Sequence, residues 1–209
     1  MIRTPEGGPL VTPGKYRVRL SLRQDGKVTE VEAAERIFTV VAHGTTAATE
    51  DERKALAAFQ KKANGLKRAT RSALDAANAL QTRLGEIKRA VDQTPSLTAK
   101  DRQGVLALER QLRSILRELR GDVELRRRQE NTPQSITEKV EAIVDEQYFS
   151  LSPPTRTHQR LYDEAGAALA KELAKLRQMT EKDVPAIEKA LEAAGAPYTP
   201  GRLPEWKEK

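Results

Sequence analysis

The chain has 209 residues and carries 37 Lys and Arg against 30 Asp and Glu, a formal net charge of +7. It contains no cysteine, which excludes disulfides and thiolate chemistry, and no apolar run approaches the ~20 residues a membrane-crossing helix needs. Aromatics are only 4% and the 38% of apolar residues are heavy in Ala, a profile of slender helices with narrow seams rather than a thick mixed core.

Residues 1–14 are rich in Pro and Gly and lack the apolar stretch of a signal peptide. A period-2 alternation follows. Tyr16, Val18, Leu20 and Leu22 point one way, and Lys15, Arg17, Arg19, Ser21 and Arg23 the other, the pattern of a half-buried strand. Asp25-Gly26 is a hairpin turn signal, because both residues tolerate positive φ. The strands span about 15–23 and 27–41, with a bulge or short loop at Ala34-Glu35. Two or three strands do not make a stable sheet alone. Either they dock on the helices, or they are the remainder of a β-sandwich with an apolar face around Tyr16, Val18 and Leu20 left uncovered.

Residues 43–48 form a linker, and residues 49–197 read as helices. The first runs from about 49 to 93, roughly 65 Å at ~1.5 Å per residue. Its seam steps by three and four through Leu56, Phe59, Ala63, Leu66, Thr70, Ala73, Ala77, Leu80, Leu84, Ile87 and Val91. Thr49 with Glu52, Thr98 with Asp101, and Ser135 with Glu138 have capping-box spacing, and Thr155 is a further N-cap. The second helix, 98–120, buries Val105, Leu108, Leu112, Ile115 and Leu119, and Gly121 ends it. A polar connector follows, in which Val123 to Gln129 has room for a helical turn. The third helix, 135–149, buries Ile136, Val140, Ile143 or Val144, and Gln147. The fourth, 155–194, has the seam Leu161, Ala165, Ala168 or Leu169, Leu173, Leu176, Met179 or Thr180, Val184, Ile187, Leu191 and Ala194. Pro185 predicts a kink near Met179–Glu181 or a break just before it. The tail, 198–209, holds the only Trp, Trp206. The fold class is therefore mainly α: an N-terminal β-hairpin, then an up-and-down bundle of about four long helices. The second and third helices meet the long pair at different heights.

No constellation for chemistry emerges. His43 and His158 are the only histidines, and neither HExxH nor a Glu-x-x-His pair is present, so no metal ligand is assigned. His158 lies near Thr155 and Thr157, whose hydroxyls helix capping explains more simply than nucleophilic catalysis. Gly7-Gly8-Pro9 leads to a strand and fails as a phosphate loop. Glu50, Asp51 and Glu52, and likewise Asp163 and Glu164, read as first-turn acids favoured by the helix dipole. Tyr148, Phe149, Tyr198 and Trp206 read as end-caps of the bundle. No catalytic, cofactor-binding or metal residue is assigned, no cofactor is expected, and the chain reads as no enzyme. The basic surplus reads as a solvated surface, since Arg126-Arg127-Arg128 is followed at once by Gln129-Glu130 without interleaved aromatics, which disfavours nucleic acid.

Two stretches carry a resemblance. Gly8-Pro9-Leu10-Val11-Thr12-Pro13-Gly14-Lys15-Tyr16-Arg17-Val18-Arg19-Leu20 resembles a segment feeding one of the last strands of a small Ig-like module. Asp183 to Leu191, Gly195 to Arg202, Leu119-Arg120-Gly121-Asp122 and Pro133-Gln134-Ser135-Ile136 resemble the helical C-terminal region of bacterial BNR-repeat, sortilin-like β-propeller proteins, often labelled glycosyl hydrolases. The resemblance implies the C-terminal part of such a protein, beginning inside the Ig-like module, with any glycosidase site in a propeller lying outside this chain. It implies an exported or periplasmic parent, and as partners the propeller and Ig-like parts of that parent or another protein. The function expected is non-catalytic scaffolding or protein contact. The alternative is a stand-alone basic helical adaptor for an anionic partner such as nucleic acid.

Overall fold

The computed structural model describes residues 11–31, 35–42, 48–149 and 152–202. Residues 1–10, Ala34, His43 with most of the linker, Leu151 and Trp206 lie outside the described residues.

The N-terminal part is a two-stranded ribbon. Strands β1 (Gly14–Val18) and β4 (Arg36–Val40) pair antiparallel, with Tyr16 opposite Phe38. Strands β2 (Ser21–Gln24) and β3 (Lys27–Glu30) pair antiparallel, with Leu22 opposite Thr29. The turn between β2 and β3 is the expected one: Asp25 and Gly26 take φ of 50° and 79°. Val31 N–H still donates to the Leu20 carbonyl at 3.2 Å, whereas Val18 already faces Arg36. Between those two pairs the outgoing strand has only Arg19 and the return strand has four residues. The two arms therefore keep different registers, and the bulge or loop expected at Ala34-Glu35 falls partly outside the described residues. Arg19 bridges the change of register, pairing with both Glu30 and Glu35 at 3.0 Å.

The helical part is built on α1 (Glu50–Asp92), whose expected seam is buried at every position except Leu66, which is half-buried. Helix α2 (Ala99–Arg120) returns along its upper half, with Lys88 paired to Glu109 at 3.1 Å and Arg120 donating to Asn78 at 3.3 Å. A short helix, α3 (Val123–Arg127), then leads to α4 (Ile136–Phe149), which continues down the lower half of α1 until Gln60 donates to the Gln147 carbonyl at 3.0 Å. Thr137 Oγ1 donates to the Leu119 carbonyl at 2.7 Å and joins the end of α2 to the start of α4. The last strut is α5 (Arg156–Gln178), a π-helical turn (Met179–Asp183) and α6 (Val184–Ala193). It runs parallel to α1: the Phe59 ring lies tilted beside those of His158 and Tyr162 at one end, and Arg83 grips Glu188 at the other. At any level three helices meet, because α2 and α4 together make one composite strut. The core between them includes Leu84, Ile87, Leu112, Ile115, Leu119, Met179 and Leu191.

Pro185 acts through the π turn rather than a break. It has no N–H to give to Glu181, and the preceding turn widens so that Val184 N–H reaches Met179 instead. The one extra residue appears in the seam, which runs Ala165, Leu169, Glu172, Leu176, Met179 and then steps five to Val184 before Glu188 and Leu191. Four expected positions, Leu161, Leu173, Ile187 and Ala194, are half-buried, and beside two of them the carboxylates Glu172 and Glu188 take the buried places.

All four long helices open on the expected caps. The Thr49 backbone N–H and then its hydroxyl hold the Glu52 carboxyl below the usual carboxylate range. The Thr98 hydroxyl and then its N–H do the same for Asp101. A carboxyl depressed in the folded chain favours folding when ionised. That contribution is complete above the unfolded values of about 4.3 for Glu and 3.9 for Asp and is lost as pH falls through the lower folded ones. We expect a melting temperature that is flat from neutrality to about pH 5 and falls below it. The fall should be shallower in a Thr49→Ala/Thr98→Ala variant; identical pH profiles for the two chains would contradict this.

Candidate functional site

His158 sits 7% exposed where α4 meets α5, and its ring is fully engaged. Nε2 lies 2.6 Å from Glu146, and Nδ1 lies 3.2 Å from the Thr155 N–H and 3.0 Å from the Gln147 side-chain amide. With Nδ1 accepting from Thr155, the neutral ring carries its proton on Nε2 and donates to Glu146. The Thr155 hydroxyl accepts from the His158 backbone N–H at 3.2 Å. His158 thus stands at the third position of a capping box normally held by Glu or Gln. The partners of its ring nitrogens are a carboxylate, a side-chain amide and a backbone N–H. The cluster ties α4 to α5 and closes a small core of Phe59, Ala63 and Ile143.

Several of the other sequence candidates have partners within the fold. Arg126 pairs with Glu138 at 2.9 Å, Arg127 with Glu124 at 3.6 Å and Arg128 with Glu130 at 3.9 Å, so each arginine of the triplet has an acid beside it. Glu50 pairs with Lys54 at 2.6 Å. Asp163 and Glu164 are not first-turn acids: they lie two turns into α5, where Glu164 reaches back to Lys139 of α4 at 2.9 Å. Lys139 is the first cause of the lowered Glu164 carboxyl. Tyr148 is half-buried at the end of α4, but Tyr198 does not cap the bundle. It is 51% exposed, with the Arg202 guanidinium 5.1 Å above its ring. Among the described residues no group of His, Asp and Glu is arranged to hold a metal, and no helix is long and apolar enough to cross a membrane.

The buried carboxylates were the residues that apolar periodicity passes over. Glu172 pairs with Lys175 through Oε1 at 2.7 Å, and its Oε2 is buried without a partner. Thr70 Oγ1 on α1 is likewise buried and unpartnered.

The feature left uncovered is the ribbon. In its outer arm the register puts Tyr16 and Val18 on one face with Phe38 and Val40; in its inner arm Leu22 lies opposite Thr29 and Leu20 opposite Val31. Tyr16 stacks on Phe38 with ring centroids 5.9 Å apart. Val18, Leu20, Leu22, Val31 and Phe38 are nonetheless exposed, between 44% and 60%. A half-buried strand would cover this row, and here it is bare. Among the described residues no third strand pairs with either edge. An open strand edge carries unpaired backbone groups, and a contiguous exposed apolar patch is a feature of interaction surfaces. Compared with protein-family models, curated proteins and solved structures, the chain matches none.

Proposed function

We propose that this chain is a non-catalytic accessory region of a larger exported β-propeller protein of the BNR-repeat, sortilin-like kind. Its ribbon completes an Ig-like sandwich in that parent, and its bundle serves as scaffold or protein-contact strut. The supporting observation is the bare row Val18, Leu20, Leu22, Val31 and Phe38 beside two open edges. Sandwich strands pack one face on a partner sheet and pair their edges, and that supplies both missing contacts. A stand-alone adaptor for nucleic acid needs basic side chains along a whole bundle face. Arg110, Arg113, Arg117 and Arg120 follow one another only along the last three turns of α2, and the neighbouring triplet is paired with acids.

The test is to read the coding sequence upstream of Met1 and to produce the chain with and without the segment encoded there. Amide hydrogen exchange at Tyr16, Val18 and Leu22 should slow at least about a hundred-fold in the longer chain. Equal exchange in both chains, or an upstream stop codon with no propeller-coding frame, contradicts the proposal.

A further inference from the structure

Where α2 ends, α3 folds back and closes a groove of about 460 Å³. That volume falls in the ~300–1,000 Å³ range of small-molecule sites. Leu116, Val123 and Leu125 are its apolar lining, and Arg113, Arg117 and Arg120 of α2 line it as well. The three arginines succeed one another at steps of four and three, so one face of α2 presents them together.

Their charge is only partly answered. Arg113 has no hydrogen bond or ion pair among the described residues, and the Arg120 side chain bonds only the neutral Asn78 carbonyl at 3.3 Å. Arg117 lies 3.5 Å from Asp122, but that carboxylate is shared with α3, whose Glu124 and Leu125 amides it accepts. Glu109, one turn before Arg113, is taken by Lys88. A fourth arginine, Arg128, also lines the groove, and Glu124 on its rim lies near Arg127.

A helix C-terminus ordinarily repels anions through its free carbonyls. Here two of those carbonyls are covered: Arg126 donates to the Arg120 carbonyl at 2.9 Å and Thr137 to that of Leu119 at 2.7 Å. Gly121 makes the first contact possible. Its φ is +87°, and a Cβ there would lie 2.3 Å from the Arg126 guanidinium. Arg126 also pairs with Glu138, so α3 is pinned between α2 and α4 and the groove is held open before any ligand arrives.

We infer that this groove binds a small organic phosphate, its charged group held by Arg113, Arg117 and Arg120 and its apolar body laid on Leu116, Val123 and Leu125. Guanidinium forks match phosphate oxygens in pairs, and the apolar floor selects an esterified phosphate over the bare ion. The inference stands whether or not the ribbon belongs to a sandwich.

The probes are phenyl phosphate and inorganic phosphate, titrated into the full chain at about 150 mM salt and followed by amide chemical shifts. Phenyl phosphate should saturate with a Kd below about 1 mM, at least about ten-fold tighter than inorganic phosphate. An Arg113→Gln/Arg120→Gln variant, with Arg113 exposed and Arg120 half-buried, should keep its far-UV spectrum and bind about ten-fold or more weakly. Unchanged affinity in that variant, or no preference over inorganic phosphate, overturns the proposal. So does tighter, steeply salt-dependent binding of a short single-stranded oligonucleotide, which would make the arginine row a nucleic-acid surface.

Discussion

Leu80→Asp is expected to unfold the helical part of the chain rather than merely alter its association. Leu80 is 5% exposed and belongs to the continuous core that α1 forms with α2, α4 and the α5–α6 strut. Truncating a buried leucine alone costs about 2–5 kcal/mol. An unpaired carboxylate in its place adds a desolvation penalty of several kcal/mol. Together these rival the whole stability of a typical domain, about 5–15 kcal/mol. Denaturant titration followed at 222 nm should show the cooperative transition lost or moved by most of its midpoint.

The second large effect is expected at Arg83. Its guanidinium meets Glu188 two-fold, Nε at 2.8 Å and Nη2 at 2.7 Å from the two carboxylate oxygens. The same group lies 3.3 Å from where a Cβ on Gly201 would stand, so it also supports the turn that follows α6. The pair is shielded but not sealed, with side chains 28% and 11% exposed. Arg83→Ala strands the carboxylate in the seam, and a loss of about 2–4 kcal/mol is expected. Replacing both partners by Met removes the stranded charge and should recover much of that loss. A double-mutant cycle of unfolding free energies checks this. Additive losses in the double variant would show that the pair contributes through packing alone.

Much of this architecture is visible in the residues. The α1 seam, the four caps, the Asp25-Gly26 turn and the stop at Gly121 each follow from local chemistry that acts within a few residues. Glu172 and Glu188 are different. A seam read from apolar periodicity moves to Leu173 and Ile187, one residue away, because nothing local says that a carboxylate is buried. For Glu188 the reason is a cation on α1, 105 residues earlier in the chain. The π turn is legible only as Pro185 and a disturbance before it; that a single extra residue resets the phase depends on packing on both sides. Helix lengths hint that α2 and α4 share one side of α1, but their joint at Thr137 and Leu119 is tertiary. The arginine row on α2 carries the same three- and four-residue steps as a buried seam. Its closure into a groove depends on where α3 lands, and Arg126 and Gly121 decide that together.

The ribbon shows the limit from the other side. Alternation predicts a covered face, and the alternation is real, yet the cover is absent among the described residues. A sequence pattern records that a face is apolar, not what buries it.

The α1 seam is buried by the other helices of this one chain. The most direct test is to melt the native chain and Leu80→Asp side by side over about a hundred-fold range of concentration. The native melting temperature should be independent of concentration, and the variant should show no cooperative melt. A native melting temperature that climbs with concentration, or a fully helical Leu80→Asp chain that melts at the native temperature and differs only in oligomeric state, would show that the seam belongs to an assembly of chains.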